Sequence, residues 1–202
     1  MSSERARPVK PRLTVLSGPS GVGKDAVIEA IRARASSSIW LSVSMTTRPK
    51  RDYETDHQHY HFVDRHTFER EARLGNMLEW AEFAGNLYGT PRSAVDQHLA
   101  LGVPVLLKID LQGARQVKAA MPEAQFVFLA PPSVEELRRR LVGRGTEDEE
   151  TIAARLTHAD EELAAQGEFD VVVVNDAIER AADELIGLLG SHPISLGREA
   201  VH

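Results

Sequence analysis

The sequence predicts an α/β fold with a central parallel sheet covered on both faces and an inserted α+β lobe. Three observations predict it. Short, almost wholly apolar runs at 13–17, 103–109, 125–129 and 170–174 alternate with stretches of helical periodicity. Strands apolar on both faces belong in a parallel sheet packed on both sides. A glycine-rich turn separates the first run from the first helix, and a polar stretch at about 45–89 breaks the alternation with patterns of its own.

Element by element, residues 1–11 carry prolines and scattered charge and read as a disordered lead. Leu13–Ser17 is a buried strand, and a helix runs from about Lys24 to Ala35 with Val27, Ile28 and Ile31 on one face. Ile39–Ser44 is a second strand. Within 45–89 a helix spans about 64–74, and after Tyr88 a new helix starts, with Thr90 suited to cap it and Pro91 to its first position. Then follow a strand at Val103–Ile109, a helix at Leu111–Met121 and a strand at Gln125–Leu129. A helix at Val134–Val142 opens on the capping box Ser133-Val-Glu-Glu136. A long polar helix covers about 147–166, Asp170–Val174 is the last strand, Ala177–Leu189 the last helix, and 191–202 a flexible tail.

At about 150 residues per domain, the 202 residues suit one domain with an insertion. The formal net charge of −6 argues against a chain that coats nucleic acid or anionic lipid. No cysteine is present, which excludes disulfides, thiolate metal sites and cysteine nucleophiles. Of 24 basic residues 19 are Arg, the side chain that grips planar anions with a rigid fork. The apolar runs are too short for an export signal or a bilayer span. A cytoplasmic setting is expected, with neither nucleic acid nor membrane as partner; the oligomeric state is not legible.

The chemistry begins at Gly18-Pro19-Ser20-Gly21-Val22-Gly23-Lys24, between a strand and a helix. In that context glycines let successive backbone N–H groups turn toward phosphate oxygens, the helix N-terminus adds partial positive charge, and Lys24 reaches the β- and γ-phosphates. The residue after the lysine is ordinarily Ser or Thr, whose hydroxyl binds Mg²⁺; here it is Asp25, itself a hard-cation ligand.

The remaining motifs stand in order. They are Ser42-Val-Ser-Met-Thr-Thr-Arg48, Leu78-Glu-Trp-Ala-Glu-Phe-Ala-Gly-Asn-Leu-Tyr-Gly-Thr90, Ile109-Asp-Leu-Gln-Gly-Ala-Arg115, Ala130-Pro-Pro-Ser133, Gly143-Arg-Gly-Thr146 and Val173-Val-Asn175. With the glycine-rich loop they resemble the guanylate kinase family over about residues 12–190. The resemblance implies a P-loop NTPase three-layer fold with a core at 12–44 and 90–190, an inserted α+β GMP-binding lobe at 45–89 and a small helical lid at 143–157. It implies transfer of the γ-phosphoryl of ATP to GMP, and to dGMP, with Mg²⁺. By the same resemblance Arg48, Arg51, Tyr60 and Tyr88 hold the GMP phosphate, and Ser44, Glu79 and Thr90 read guanine. Arg140, Arg144 and Arg155 close over the ATP phosphates, Asp110 orients Mg²⁺ with Asp25, and Asn175 lies toward adenine. Two guanidinium forks and two phenolic donors suit a phosphate dianion, and a carboxylate can accept from both N1–H and the 2-amino group of guanine.

The chain departs from that pattern in two places. Lys108 stands where the family has Asp or Glu, an opposite-sign change to Asp25, so Lys108 and Asp25 are expected to form an ion pair. In Arg48-Pro-Lys-Arg51-Asp-Tyr-Glu54 the proline is shifted and Tyr53 replaces a glycine. Bland readings compete at several residues: Tyr60 and Tyr88 as packing, Glu79 as a surface ion-pair partner, Arg138 and Arg139 as a solvated helix face. His57, His59 and His61 alternate, which on a strand would give one face able to bind metal, against a solvated hairpin. The alternative functions are a kinase resembling ribose 1,5-bisphosphate phosphokinase, which also has Gly-Lys-Asp in its loop, and a non-catalytic guanylate-kinase-like protein-binding module.

Overall fold

The computed structural model describes residues 13–34, 39–142 and 149–190, the side chains of the last segment from 156 onward. The lead at 1–11, the tail at 191–202, the first residues of the expected lid, Arg144 and the side chain of Arg155 lie outside the described residues.

Five strands form the central sheet: β1 (Leu13–Ser17), β2 (Trp40–Leu41), β7 (Val105–Lys108), β8 (Gln125–Ala130) and β9 (Val171–Val174), in the order β2-β7-β1-β8-β9. All the pairings are parallel. Successive residues of a strand face opposite sides, which splits the core into two layers. Leu16, Leu106 and Val127 pack against α1 (Lys24–Arg34), α5 (Val134–Val142) and α7 (Ile178–Gly190), joined by Ala159 of α6 (Glu149–Ala164). Leu13, Val15, Val105 and Leu107 pack on the other side against α3 (Arg92–Ala100) and α4 (Leu111–Ala120). Each fully buried Val, Leu or Phe contributes about 1.5–3 kcal/mol relative to exposure.

The inserted stretch makes a second sheet of four strands, β4-β3-β6-β5, from β3 (Met45–Thr46), β4 (His61–Phe62), β5 (Met77–Phe83) and β6 (Asn86–Pro91). Beside it, α2 (Arg65–Arg73) is capped by Asp64, whose side chain accepts from Thr67 N at 2.8 Å. Phe68, Met77 and Leu87 form the lobe's own small core. Gln116 of α4 ties lobe to core: its amide donates to Trp80 O at 2.8 Å and its oxygen accepts from Trp80 N at 3.1 Å.

Three local expectations need correction. The strand expected at 39–44 is reduced to Trp40–Leu41. After Ser42 N donates to Leu106 O the chain leaves the central sheet, because Met45 and Thr46 pair inside the lobe. Thr90 does not cap α3; its hydroxyl goes to Glu79, Pro91 occupies the cap position without a side-chain cap bond, and the helix starts at Arg92. The alternating histidines do not share a strand face. His57 sits in a turn with φ 63°, only His61 lies in a strand, and His59 Nδ1 accepts from Thr55 N at 2.9 Å. Among the described residues no group of three or more His, Asp or Glu side chains is arranged to hold a metal. The capping-box serine is present as expected, Ser133 Oγ accepting from Glu136 N at 3.1 Å.

Candidate active site

The order in which strands are added to the central sheet reverses next to β1, which has β7 on one side and β8 on the other. In such sheets the crevice beyond the carboxyl ends of the strands receives the ligand. The loop 18–23 leaves β1 there, Asp110 follows β7 and Asn175 follows β9.

Backbone geometry dictates the loop's glycines. Gly18 has φ 148° and Gly23 φ 101°. A Cβ on Gly18 would meet Leu129 O at 2.3 Å, and one on Gly23 would meet Asn175 Nδ2 at 2.6 Å. The buried Asn175 braces the loop from behind, donating to Val22 O at 2.8 Å. Lys24 Nζ donates back to Gly18 O and, at 3.2 Å, to Pro19 O. Burial lowers its pKa, Glu162 opposes the shift and Lys108 adds to it. The carboxylate of Glu162 accepts from Ser20 N at 2.9 Å, so an acid from α6 stands on the loop where an anionic ligand's oxygen would go. Its own pKa is pushed up by burial.

On the lobe side the structure brings Arg48, Tyr60 and Tyr88 together. The Arg48 guanidinium lies 5.5 Å from the Tyr60 ring centroid, and the two tyrosine rings meet edge-on at 6.1 Å. Arg48 is held by Glu54, Nη1 donating to Oε2 at 3.0 Å and Nη2 to Oε1 at 2.7 Å. Arg51 N donates to the same carboxylate at 2.8 Å. Arg48 and then the Arg51 backbone N–H keep the Glu54 carboxyl at about 2, far below its usual range. The Arg51 guanidinium is not brought to this group. It points outward and donates to Tyr53, the residue that replaces the expected glycine, at 2.7 Å. Ser44 lines a cleft with Tyr60 and Lys108.

Glu79 of β5 pairs in register with Thr90, two residues along β6 from Tyr88. The β5–β6 register shifts between Met77 and Glu79, a bulge of the kind that re-aims a side chain. Its carboxylate is 5% exposed and accepts from Thr90 Oγ1 at 2.6 Å. Gly113 makes room for it, since a Cβ there would stand 2.7 Å from Glu79 Oε2. Burial raises the Glu79 carboxyl to about 7, against the Thr90 hydrogen bond and with help from Asp110. A buried acid whose pKa is raised by desolvation and by a neighbouring carboxylate is a candidate functional residue.

Asp110 caps α4, its Oδ1 accepting from Gly113 N at 2.7 Å. Lys108 Nζ lies 2.5 Å from Asp25 Oδ1, so the expected ion pair is present. The two carboxylates make no closed cage, and the donor set suits Mg²⁺, which keeps waters and takes one or two carboxylates plus phosphate oxygens. Arg140 reaches the loop, Nη1 donating to Val22 O at 3.4 Å while Nε holds Glu136. Arg138 and Arg139 lie on the exposed face expected of them, paired with Asp160 and Glu136.

Two residues of the site escape sequence reasoning. Glu54 is a buried acid close after two arginines, and that spacing was the available signal. Glu162 carries none, since it is one of three consecutive acids, Asp160-Glu161-Glu162, within a helix.

The Guanylate kinase family model matches residues 10–192. The chain is 59% identical to the guanylate kinase of Thermobifida fusca, over 89% of this chain and 91% of that protein. It is 58% identical to that of Frankia casuarinae, over 88% of this chain and 96% of that protein. The crystal structure of guanylate kinase from Anaplasma phagocytophilum superposes with a TM-score of 0.70 at 37% identity, over 89% of this chain and 84% of that one. The match spans the phosphate loop, the inserted lobe and the last strand and helix, so the chain belongs to the guanylate kinase family.

Proposed function

We propose that the chain transfers the γ-phosphoryl of ATP to GMP, giving ADP and GDP, and accepts dGMP as well. The observation that carries this reading is the buried carboxylate of Glu79, fixed by Thr90, which lies two residues along β6 from Tyr88. The carboxylate can accept from guanine N1–H and the 2-amino group, a pair of donors that adenine does not present. Neither the ribose-phosphate reading nor the binding-module reading is favoured by the relatives, and neither gives Glu79 a task.

In this reading 45–89 is the GMP lobe, 12–44 and 90–190 the core, and 143–157 the lid. Arg48, Tyr60 and Tyr88 neutralise the GMP phosphate, and Arg51 joins them by swinging off Tyr53. Gly18 to Asp25 cradle the ATP phosphates, with Asn175 bracing the loop and Arg140, Arg144 and Arg155 closing over them. Phosphoryl transfer needs positioning and positive charge more than covalent help. Asp25 and Asp110 would hold Mg²⁺, which supplies positive charge to the phosphate oxygens when bound. The setting is cytoplasmic, with GMP and ATP as partners and neither nucleic acid nor membrane; among the described residues no helix is long and apolar enough to cross a membrane.

The test offers the protein Mg-ATP with GMP, AMP or ribose 1,5-bisphosphate in turn and measures ADP release. Turnover with GMP is expected; turnover with ribose bisphosphate alone, or with none, overturns the reading. A second expectation concerns Glu162, which ATP must displace from Ser20 N. Glu162→Gln should tighten ATP binding about 5-fold, the equivalent of roughly 1 kcal/mol. Titration calorimetry checks it, and weaker binding would assign Glu162 a supporting role instead.

A further inference from the structure

We infer that Lys108 is an added phosphate-contacting residue of the transfer reaction, a cation stored on Asp25 between the donor and acceptor phosphates. The inference rests on the proposed GMP kinase reading. The resemblance places an acid at this position, so the role belongs to this chain and not to the general pattern.

The first observation is location. Lys108 ends β7 and lines a cleft with Ser42, Ser44 and Tyr60, on the acceptor side. On the donor side it is held by Asp25, the residue that follows Lys24 in the chain. It therefore stands between the lysine of the phosphate loop and a tyrosine of the acceptor group.

The second is the pairing with Asp25 at 2.5 Å. The two side chains are 36% and 86% exposed. An ion pair so open to water contributes little to stability. What it does accomplish is to hold a flexible ammonium at one place in the cleft. An exposed partner also releases it at small cost when a stronger anion arrives.

The third is Ser42. Among the described residues its hydroxyl is the buried side-chain polar atom without a hydrogen-bond partner, and it lines the same cleft. A buried orphan donor is costly unless a ligand uses it. A lysine and an unpaired hydroxyl beside Tyr60 suit phosphate oxygens.

The reaction supplies such an anion. A GMP phosphate oxygen forms a bond to the γ-phosphorus as the bond from that phosphorus to the bridging oxygen of ATP breaks. The electron pair stays on the β-phosphate oxygen of ADP. Lys108 moves no proton in this step. Its ammonium compensates charge on the group in passage, as a fixed cation does best in a cleft shielded from water.

The test compares wild type, Lys108→Met and Lys108→Arg, first confirming equal melting temperatures. Lys108→Met should lower kcat about 30-fold and leave the KM for GMP within about 3-fold, the pattern of an interaction made mainly in the transition state. A second readout uses ATP in EDTA with GMP present, titrated by calorimetry. With no metal to neutralise the phosphates, Lys108→Met should bind ATP about 10-fold more weakly than wild type. Lys108→Arg should recover most of both losses. An unchanged kcat, or an unchanged metal-free affinity, overturns the role. Wild-type turnover of GMP is measured first, and its absence refutes the kinase reading itself, whereas a normal wild type with an unaffected Lys108→Met refutes only the role of Lys108.

Discussion

Glu79→Gln is expected to raise the melting temperature of the empty protein while cutting GMP use by roughly 100-fold. Both effects come from one buried charge. A carboxyl moved from 4.5 to about 7 costs roughly 3 kcal/mol of stability once it is ionised in the folded state. The sign follows from the order of titration. Below 4.5 the group is protonated folded and unfolded, and no penalty exists. As pH rises through 4.5 the unfolded chain releases the proton and the folded one keeps it, so stability falls until about 7 and then levels. The glutamine variant lacks this loss. Its advantage should be near zero at pH 4 and several degrees in melting temperature at pH 8. The amide oxygen can still accept from Thr90, so the fold around it survives. Guanine fares differently, because the amide presents a donor where the carboxylate presents an acceptor. In the wild type the KM for GMP should rise as pH falls below about 7, approaching tenfold per unit, since guanine requires the ionised acid. In the variant it should rise only below about 6, where the GMP phosphate itself takes up a proton. Scanning calorimetry and a pH series of KM check both halves, and a pH-independent wild-type KM would remove Glu79 from guanine recognition.

Glu54→Ala should be the most damaging single change in the lobe. Glu54 is 7% exposed and receives Arg48 through both terminal nitrogens and the Arg51 backbone N–H. Removing it strands the Arg48 guanidinium, whose side chain is 16% exposed, a loss of about 1–3 kcal/mol for a charged hydrogen-bonding group left without its partner. The loop between the two arginines also loses the acceptor around which it turns. Arg48 has five donors; in the structure Nη1 serves Pro49 O and Glu54, and Nη2 serves Glu54. The anchored fork therefore keeps donors for a phosphate while its direction is set. Without the anchor the KM for GMP should rise about 100-fold and the affinity for ATP change less than about 3-fold. Glu54→Gln, which keeps an acceptor but loses the charge, should fall between the two. Equal losses toward GMP and ATP would mean general unfolding and no specific positioning. The wild type should also show this pair in acid. Its stabilisation is present above pH 4.5 and is lost as pH falls toward about 2, because the folded carboxyl resists protonation.

The two acids differ in how legible they were. Glu79 sits in a block whose neighbours identify it, so its position could be read although its pKa could not. Glu54 and Glu162 are ordinary glutamates in polar stretches, and what makes them matter is the group each meets across the fold. Glu162 is 142 residues from the Ser20 N–H it accepts from. The Asp25–Lys108 pair, 83 residues apart, was legible for a narrower reason: two opposite departures from one pattern fell at strand and helix ends expected to be adjacent. The histidines follow the solvated reading, with His57 and His59 exposed. Their alternation promised a shared face, but the left-handed turn at His57 breaks the strand before the pattern can act.

By itself the sequence determined the parallel sheet, the order of helices around it, the phosphate loop and the kinase family. These follow from short-range rules: apolar periodicity, glycines where the backbone must curl, caps where helices begin. Only the tertiary structure decided the state of the site. It buried Glu79, turned Arg51 onto Tyr53, folded Arg48 onto Glu54 and set Glu162 on the phosphate loop. The reason is that desolvation and charge pairing depend on what surrounds a group in three dimensions, and residues far apart along the chain supply those surroundings.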